Sequence, residues 1–93
     1  MKFRHKPIVI DAVKFDGSIE SITKMALEMN MPIEKYVFSL GRFGTIIIPT
    51  LEGNMITMVG DWVIKGIIGE FYPIKDEIFK LTYEKEIMPD IFI

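Results

Sequence analysis

The spacing of apolar positions changes twice along this chain, and each change predicts an element. Residues 7–15 (P-I-V-I-D-A-V-K-F) are β-branched and aromatic and are stopped by Asp16-Gly17, which predicts a first strand. From Ser18 the period becomes helical. Ile19, Ile22, Ala26 and Met29 recur at i, i+3, i+7 and i+10, and Met25 fills the same face. That stripe predicts an amphipathic helix over 18–29. Ser18 or Asp16 can cap its start, and Glu20 sits in the first turn, where the helix dipole favours a carboxylate. Asn30 and Pro32 end it.

From residue 36 the period is two. Tyr36, Phe38 and Leu40 alternate with Val37 and Ser39, Gly41-Arg42-Phe43-Gly44 turns the chain, and Thr45-Ile46-Ile47-Ile48 returns it, so a hairpin is expected. Pro49 cannot donate to a ladder, so its strand ends there or lies at an edge. Leu51-Glu52-Gly53-Asn54 reads as a turn, followed by a strand from Met55 to Val59, a tight Gly60-Asp61 turn and a strand from Trp62 to Lys65. Gly66 and Gly69 bracket a bend. Glu70-Phe71-Tyr72 is short and stopped by Pro73, residues 75–78 allow one helical turn, and Phe79, Leu81 and Tyr83 alternate as a last strand. Tight turns favour antiparallel pairing, with the helix covering one face. The expected fold is α+β: a strongly curved antiparallel sheet, or small open β-barrel, of about six short strands with one packed helix.

Length makes this one domain over residues 1–93, since two halves would be too small to enclose cores. The composition is 49% hydrophobic with 7 methionines, which argues against disorder. No apolar run approaches the ~20 residues of a bilayer crossing. After Met1, Asp11 interrupts the apolar run too early for a signal peptide. Cysteine is absent, excluding disulfides and thiol chemistry and suiting a reducing cytosol. The formal net charge of −2 argues against general nucleic-acid coating, which needs a basic surface. Charge is nonetheless uneven: Lys2, Arg4, His5 and Lys6 make a basic start, and Asp76, Glu77, Glu84, Glu86 and Asp90 an acidic last quarter.

Candidate chemistry is sparse. His5 is the only histidine, leaving neither a metal-ligand set nor a base well placed for a nucleophile. Glu52, Asp61 and Glu70 lie in or beside glycine turns and can serve either acid–base chemistry or the turns themselves, as Asp often does. The densest segment is Gly60 to Lys75, G-D-W-V-I-K-G-I-I-G-E-F-Y-P-I-K. Its Trp62, Phe71 and Tyr72 suit either stacking on a planar ligand or burial in a core or interface. Lys65 and Lys75, with Arg4 and Lys6, can neutralise phosphate. Backbone N–H groups around Gly60, Asp61 and Gly69 can donate to an anion. The final residues 87–93 (I-M-P-D-I-F-I) hold five large apolar side chains among seven, so this tail is expected to dock on its own sheet or on another subunit.

The segments F-R-H-K-P-I-V-I-D-A-V-K-F-D-G (3–17), I-P-T-L-E-G-N-M (48–55) and V-G-D-W-V-I-K-G-I-I-G-E-F-Y-P-I-K-D-E-I-F-K-L-T-Y-E (59–84) resemble a family of small, mostly uncharacterised proteins of tailed bacteriophages and prophages. His5, Val59 and Asp76 depart from the family's usual Lys, Pro and Pro, and residues 30–44 and the tail from 85 lie outside the resemblance. It implies a phage-derived protein acting in the cytoplasm of an infected bacterium, and it brings no catalytic residues. By analogy of size and context with phage proteins that sequester nucleotide immune signals, the leading expectation is a non-enzymatic, cofactor-free homo-oligomer. It would capture a nucleotide-like anionic ligand through Arg4, Lys6, Trp62, Lys65, Phe71, Tyr72 and Lys75. The alternatives are a protein-interaction module that blocks a host factor through its tail or a sheet edge, and a metal-independent nucleotide hydrolase using Glu52, Asp61 or Glu70.

Overall fold

A computed structural model of the protein describes residues 1–3, 8–36 and 44–84. The elements run β1 (Asp11–Lys14), α1 (Ile19–Met29), α2 (Ile33–Tyr36), β2 (Ile46–Thr50), β3 (Gly53–Thr57), β4 (Trp62–Lys65), β5 (Phe71–Ile74) and α3 (Asp76–Thr82). The architecture is α+β, with five strands in two antiparallel sheets: a three-stranded sheet ordered β1-β4-β5, and the β2-β3 hairpin. The sequence suggests about six strands in one sheet; the described strands divide between two. The turn expected at 41–44 falls largely within residues 37–43, which lie outside the described residues, as does the apolar tail.

Helix α1 follows its sequence signals closely. Ser18 caps it, accepting the Ser21 N–H at 3.0 Å, while Asp16 accepts the Ser18 N–H at 2.9 Å and also its hydroxyl. Asn30 terminates it in the left-handed conformation at φ 54°, which asparagine tolerates better than most residues. Ile22, Met25 and Met29 are buried, together with Ser21. Ile19, at the exposed start of the expected stripe, does not reach the core.

The core lies between α1, one face of the three-stranded sheet and the inner face of the hairpin. It contains Val13, Phe15, Ile22, Met25, Met29, Met31, Ile46, Ile48, Val63 and Phe71, with Ile33 and Tyr36 packed against it. Cross-strand register explains the membership. Val13 faces Val63, and Val63 faces Pro73, so these side chains share one face of the sheet. Ala12, Ile64 and Tyr72 are aligned on the other.

Pairing and edge position decide the boundaries of three strands. β5 runs through Pro73 to Ile74. The Gly66 N–H donates to the Glu70 carbonyl at 2.7 Å, and hydrogen-bonded pairs alternate along an antiparallel ladder. Val63 and Pro73 therefore exchange no hydrogen bond, and the proline costs the ladder nothing. β2 likewise continues past Pro49 to Thr50, with Leu51-Glu52 as the loop to Gly53. β1 starts only at Asp11, because its partner β4 ends at Lys65.

The largest correction is at the end. The alternation of Phe79, Leu81 and Tyr83 suggests a strand, yet 76–82 is helix. Phe79 and Tyr83 are four apart and fall on the same side of a helical turn, where their rings meet at 5.3 Å. Leu81 points to solvent at 88% exposure. Asp76 and Glu77 in the first turn and Lys80 in the last suit the helix dipole.

The β3–β4 connection sets the register of the three-stranded sheet. The Asp61 N–H donates to the Met58 carbonyl at 3.0 Å. Gly60 sits between them at φ 98°, the third position of a type II turn, where a left-handed residue is required. Gly60 and Asp61 then jointly face Phe15: the Phe15 N–H donates to the Asp61 carbonyl at 2.8 Å, and the Gly60 N–H to the Phe15 carbonyl at 2.7 Å. Two residues opposing one make a β-bulge with glycine first.

Two substitutions check this account. A Cβ at Gly60 would meet nothing within 4 Å, so Gly60→Ala should cost only the backbone strain, about 1–2 kcal/mol, read as a lowered urea midpoint. An unchanged midpoint would contradict the turn. The Thr57 hydroxyl is fully buried and has no hydrogen-bond partner among the described residues, so Thr57→Val should stabilise the protein by about 1 kcal/mol. A loss of stability would mean that the hydroxyl is in fact satisfied.

Candidate functional site

A groove of about 360 Å³ lies between β1 and α1. Ala12, Val13 and Lys14 form its floor, Glu20, Ser21, Lys24 and Glu28 its helical wall, and Asp16 and Trp62 also line it. The wall stands close because Ser21 is small and reaches the loop, its hydroxyl accepting the Asp16 N–H at 3.4 Å.

Strand β1 is an edge strand, and the bulge determines which backbone groups face the groove. Since Phe15 and Asp61 form a hydrogen-bonded pair, so do Val13 with Val63 and Asp11 with Lys65, by alternation along the register. The N–H and C=O groups of Ala12 and Lys14 consequently point away from β4, toward the groove. Among the described residues no backbone or side-chain hydrogen bond meets them. These are template positions for another strand.

The charges lining the groove are three carboxylates and two ammonium groups, and several are already engaged. Asp16 is tied to Ser18, whose side-chain and backbone hydrogen bonds, together with Ser21, hold its carboxyl below the usual range. Lys14 reaches Asp76 at 3.6 Å. Glu20, Lys24 and Glu28 remain along the wall as a negative, positive, negative series spaced four residues apart.

The residues singled out from the sequence are distributed rather than gathered. Trp62 and Tyr72 lie on the sheet face covered by α3. The Trp62 ring stacks on Phe79 at 4.0 Å and 8°, and its indole N–H donates to Asp76 Oδ1 at 2.8 Å. Burial, then a hydrogen bond with Tyr83, pushes the Tyr72 phenol up to about 12. Phe71 is on the opposite face, in the core, edge-on to Tyr36 at 5.5 Å. The Lys65 ammonium stands 6.0 Å from the Phe71 ring centre. Lys75 donates to both oxygens of buried Asp61, at 3.1 and 3.2 Å. Gly60 and Asp61 sit at one end of β4, and Gly69 in the turn at the other. Arg4 and Lys6 lie outside the described residues.

The three carboxylates considered for acid–base work occupy three separate turns. Asp61 is separated by β4 from Glu70 and by β3 from Glu52. Asp61 accepts the Met58 N–H at 2.9 Å as well as Lys75, which is turn and tether chemistry. Glu70 bends back beside Gly66 and accepts the Ile68 N–H at 3.3 Å. Glu52 is exposed in the hairpin loop. Among the described residues no three carboxylate or histidine side chains gather to hold a metal ion, and no helix is long and apolar enough to cross a membrane. Set against protein-family models, curated proteins and solved structures, the chain matches none of them.

Sequence reading missed the groove because its defining atoms are backbone groups. Their exposure depends on strand order, and Ala12 carries no chemical signal of its own. One partial signal was present: Ser21 interrupts the apolar side of α1 at the point where the helix meets the strand.

Asp76 gives this region a pH signature. The Trp62 indole N–H and then Lys80 hold its carboxyl at about 2, below the ordinary 3.8. A depressed folded-state pKa stabilises above the unfolded value and is lost as pH falls through the folded one. The docking of α3 on Trp62 should thus be intact above roughly pH 4 and weaken toward pH 2. Fluorescence of the single tryptophan should report the transition, and Asp76→Asn should remove its pH dependence. Identical acid profiles in both proteins would refute the assignment.

Proposed function

We propose that this protein is a non-enzymatic protein-interaction module that holds an extended segment of a partner in the β1–α1 groove by adding a strand to β1. The observation that carries this is the pair of outward-facing residues, Ala12 and Lys14, on the floor of a groove walled by α1. Strand addition takes its affinity from main-chain hydrogen bonds and its specificity from alternate side chains. Here the wall supplies the specificity. Glu20, Lys24 and Glu28 recur about every 6 Å along the helix, and alternate residues of a strand recur about every 6.6 Å. The complementary segment carries basic, acidic and basic side chains at positions i, i+2 and i+4.

The same charges bear on the other readings. Three carboxylates around the groove oppose a nucleotide-like anion, and Lys75, expected to neutralise phosphate, is engaged by Asp61. On the resemblance to phage and prophage proteins, the partner is a host protein in the cytoplasm of an infected bacterium, and the outcome of binding is inhibition.

A test uses synthetic peptides of the pattern K-x-E-x-K, with β-branched residues between the charges, titrated against the whole protein. Trp62 at the groove's end serves as fluorescence reporter. Binding in the micromolar range is expected. Ala12→Pro should abolish it without unfolding the protein, because that N–H lies outside the β1–β4 ladder. Glu20→Lys with Glu28→Lys should transfer the preference to E-x-K-x-E. Failure of every such peptide, or undiminished binding by Ala12→Pro, would overturn the proposal. A nucleotide that binds where the peptides fail would favour anion capture instead.

A further inference from the structure

Strands at the edges of sheets are normally marked by a charge, a proline or a cover that restricts what can pair with them, and three of the four edge strands described here carry a charge or a proline. β1 carries Asp11 and Lys14 and lies beside α1, β2 carries Pro49, and β5 carries Pro73. β3 has none of these. Its sequence is G-N-M-I-T, and no charged residue occurs between Glu52 and Asp61. The segment is also apolar at the surface: Met55, Ile56, Met58 and Val59 are all exposed, Ile56 at 62%.

The proline in β2 identifies the outward groups of β3. Pro49 faces Asn54 and has no N–H, so it fits the ladder without loss only at a pair that exchanges no hydrogen bonds. By alternation, Ile47 with Ile56 is another such pair. The backbone N–H and C=O groups of Asn54 and Ile56 therefore point away from β2, and among the described residues no hydrogen bond meets them.

We infer that β3 is the interface between two copies of this chain, paired antiparallel across a two-fold axis at Met55. That register sets Asn54 opposite the second copy's Ile56 and Ile56 opposite its Asn54, so that every outward-facing group of the strand is used. At a two-fold interface residue i meets residue j and j meets i, so the residue on the axis faces its own copy, and a charge at or beside the axis would stand close to a like charge. β3 carries no charge, and the exposed Ile56 then lies diagonal to the second copy's Ile56, within reach of it across the paired strands. The interface is separate from the β1–α1 groove and stands whether or not a peptide binds there.

Light scattering of the whole protein at micromolar concentration should give twice the 10.7 kDa chain mass. Ile56→Lys, at an exposed position, should reduce it to the single-chain mass. Directly opposed Met55 residues would have Cα atoms about 4.5 Å apart, within disulfide range. Because the chain has no cysteine, Met55→Cys should cross-link the dimer under mild oxidation, while Ile68→Cys, exposed in another turn, should not. A single-chain mass for the unmodified protein, a dimer indifferent to Ile56→Lys, or Met55→Cys that does not cross-link would each overturn the inference. Capture of a foreign strand in place of a second copy would appear as a single-chain mass in the purified protein.

Discussion

Asp61 ties three separated stretches of chain at one point. Its backbone closes the Met58–Asp61 turn and pairs with Phe15, and its carboxylate accepts from Met58 and from Lys75, at the junction of β5 and α3. A carboxylate this buried is tolerable only with such partners, because an uncompensated charge away from water is strongly destabilising. The three contacts are therefore mutually dependent. Losing Lys75 would leave the buried oxygens one hydrogen bond from Met58, and losing the turn would remove the register of β1 against β4.

That register decides which backbone groups β1 leaves unpaired at its outer edge. Side chains and backbone groups both alternate along a strand, so a slip of one residue would turn Val13 out of the core and Ala12 into it. The same slip would send the N–H and C=O groups of Asp11 and Val13 toward the groove. The bulge at Gly60 prevents this by fixing Phe15 against Asp61. Phe15 is fully buried, which anchors the strand's end from the core side as the bulge anchors it from the ladder. A feature of the turn's backbone thus propagates to an edge on the far side of the same strand.

Legibility in the sequence followed the range of the forces involved. Helix α1, with its Ser18 cap and Asn30 terminus, was readable because capping and helical periodicity are local. β4 was readable because glycine turns bracket a short β-branched run. The last element was misread, since Phe79, Leu81 and Tyr83 alternate as in a strand while Phe79 and Tyr83 alone also fit the helical spacing. The Trp62 ring and its hydrogen bond to Asp76, both supplied from β4, add to the local charges in favouring the helix. The segment 60–75 is dense in aromatic residues along the sequence, but those residues alternate between two faces of a sheet. Phe71 and Tyr72, neighbours in β5, therefore point to opposite faces. The groove was invisible for the complementary reason: Ala12 and Glu28 are far apart in sequence and chemically unremarkable until strand order is known.

The large apolar fraction of so short a chain is accounted for only in part by the core. Ile56, Met58, Val59, Ile67, Ile68 and Leu81 are all more than half exposed, and a monomer of this size has few interior positions left for them. Isolated exposed apolar residues are ordinary, and Ile67, Ile68 and Leu81 lie in a turn and on the outer side of a short helix. The run from Met55 to Val59 differs because it coincides with an unguarded edge, so hydrogen-bonding capacity and apolar surface occur together. Where either occurs alone, water or a charged neighbour satisfies it cheaply. Where both occur on one five-residue strand, burying them against an identical strand satisfies the backbone and removes the side chains from water in the same step. Under the two proposals the edges divide their roles by charge: the charged, walled edge of β1 would select among partners, and the neutral edge of β3 would accept its own copy.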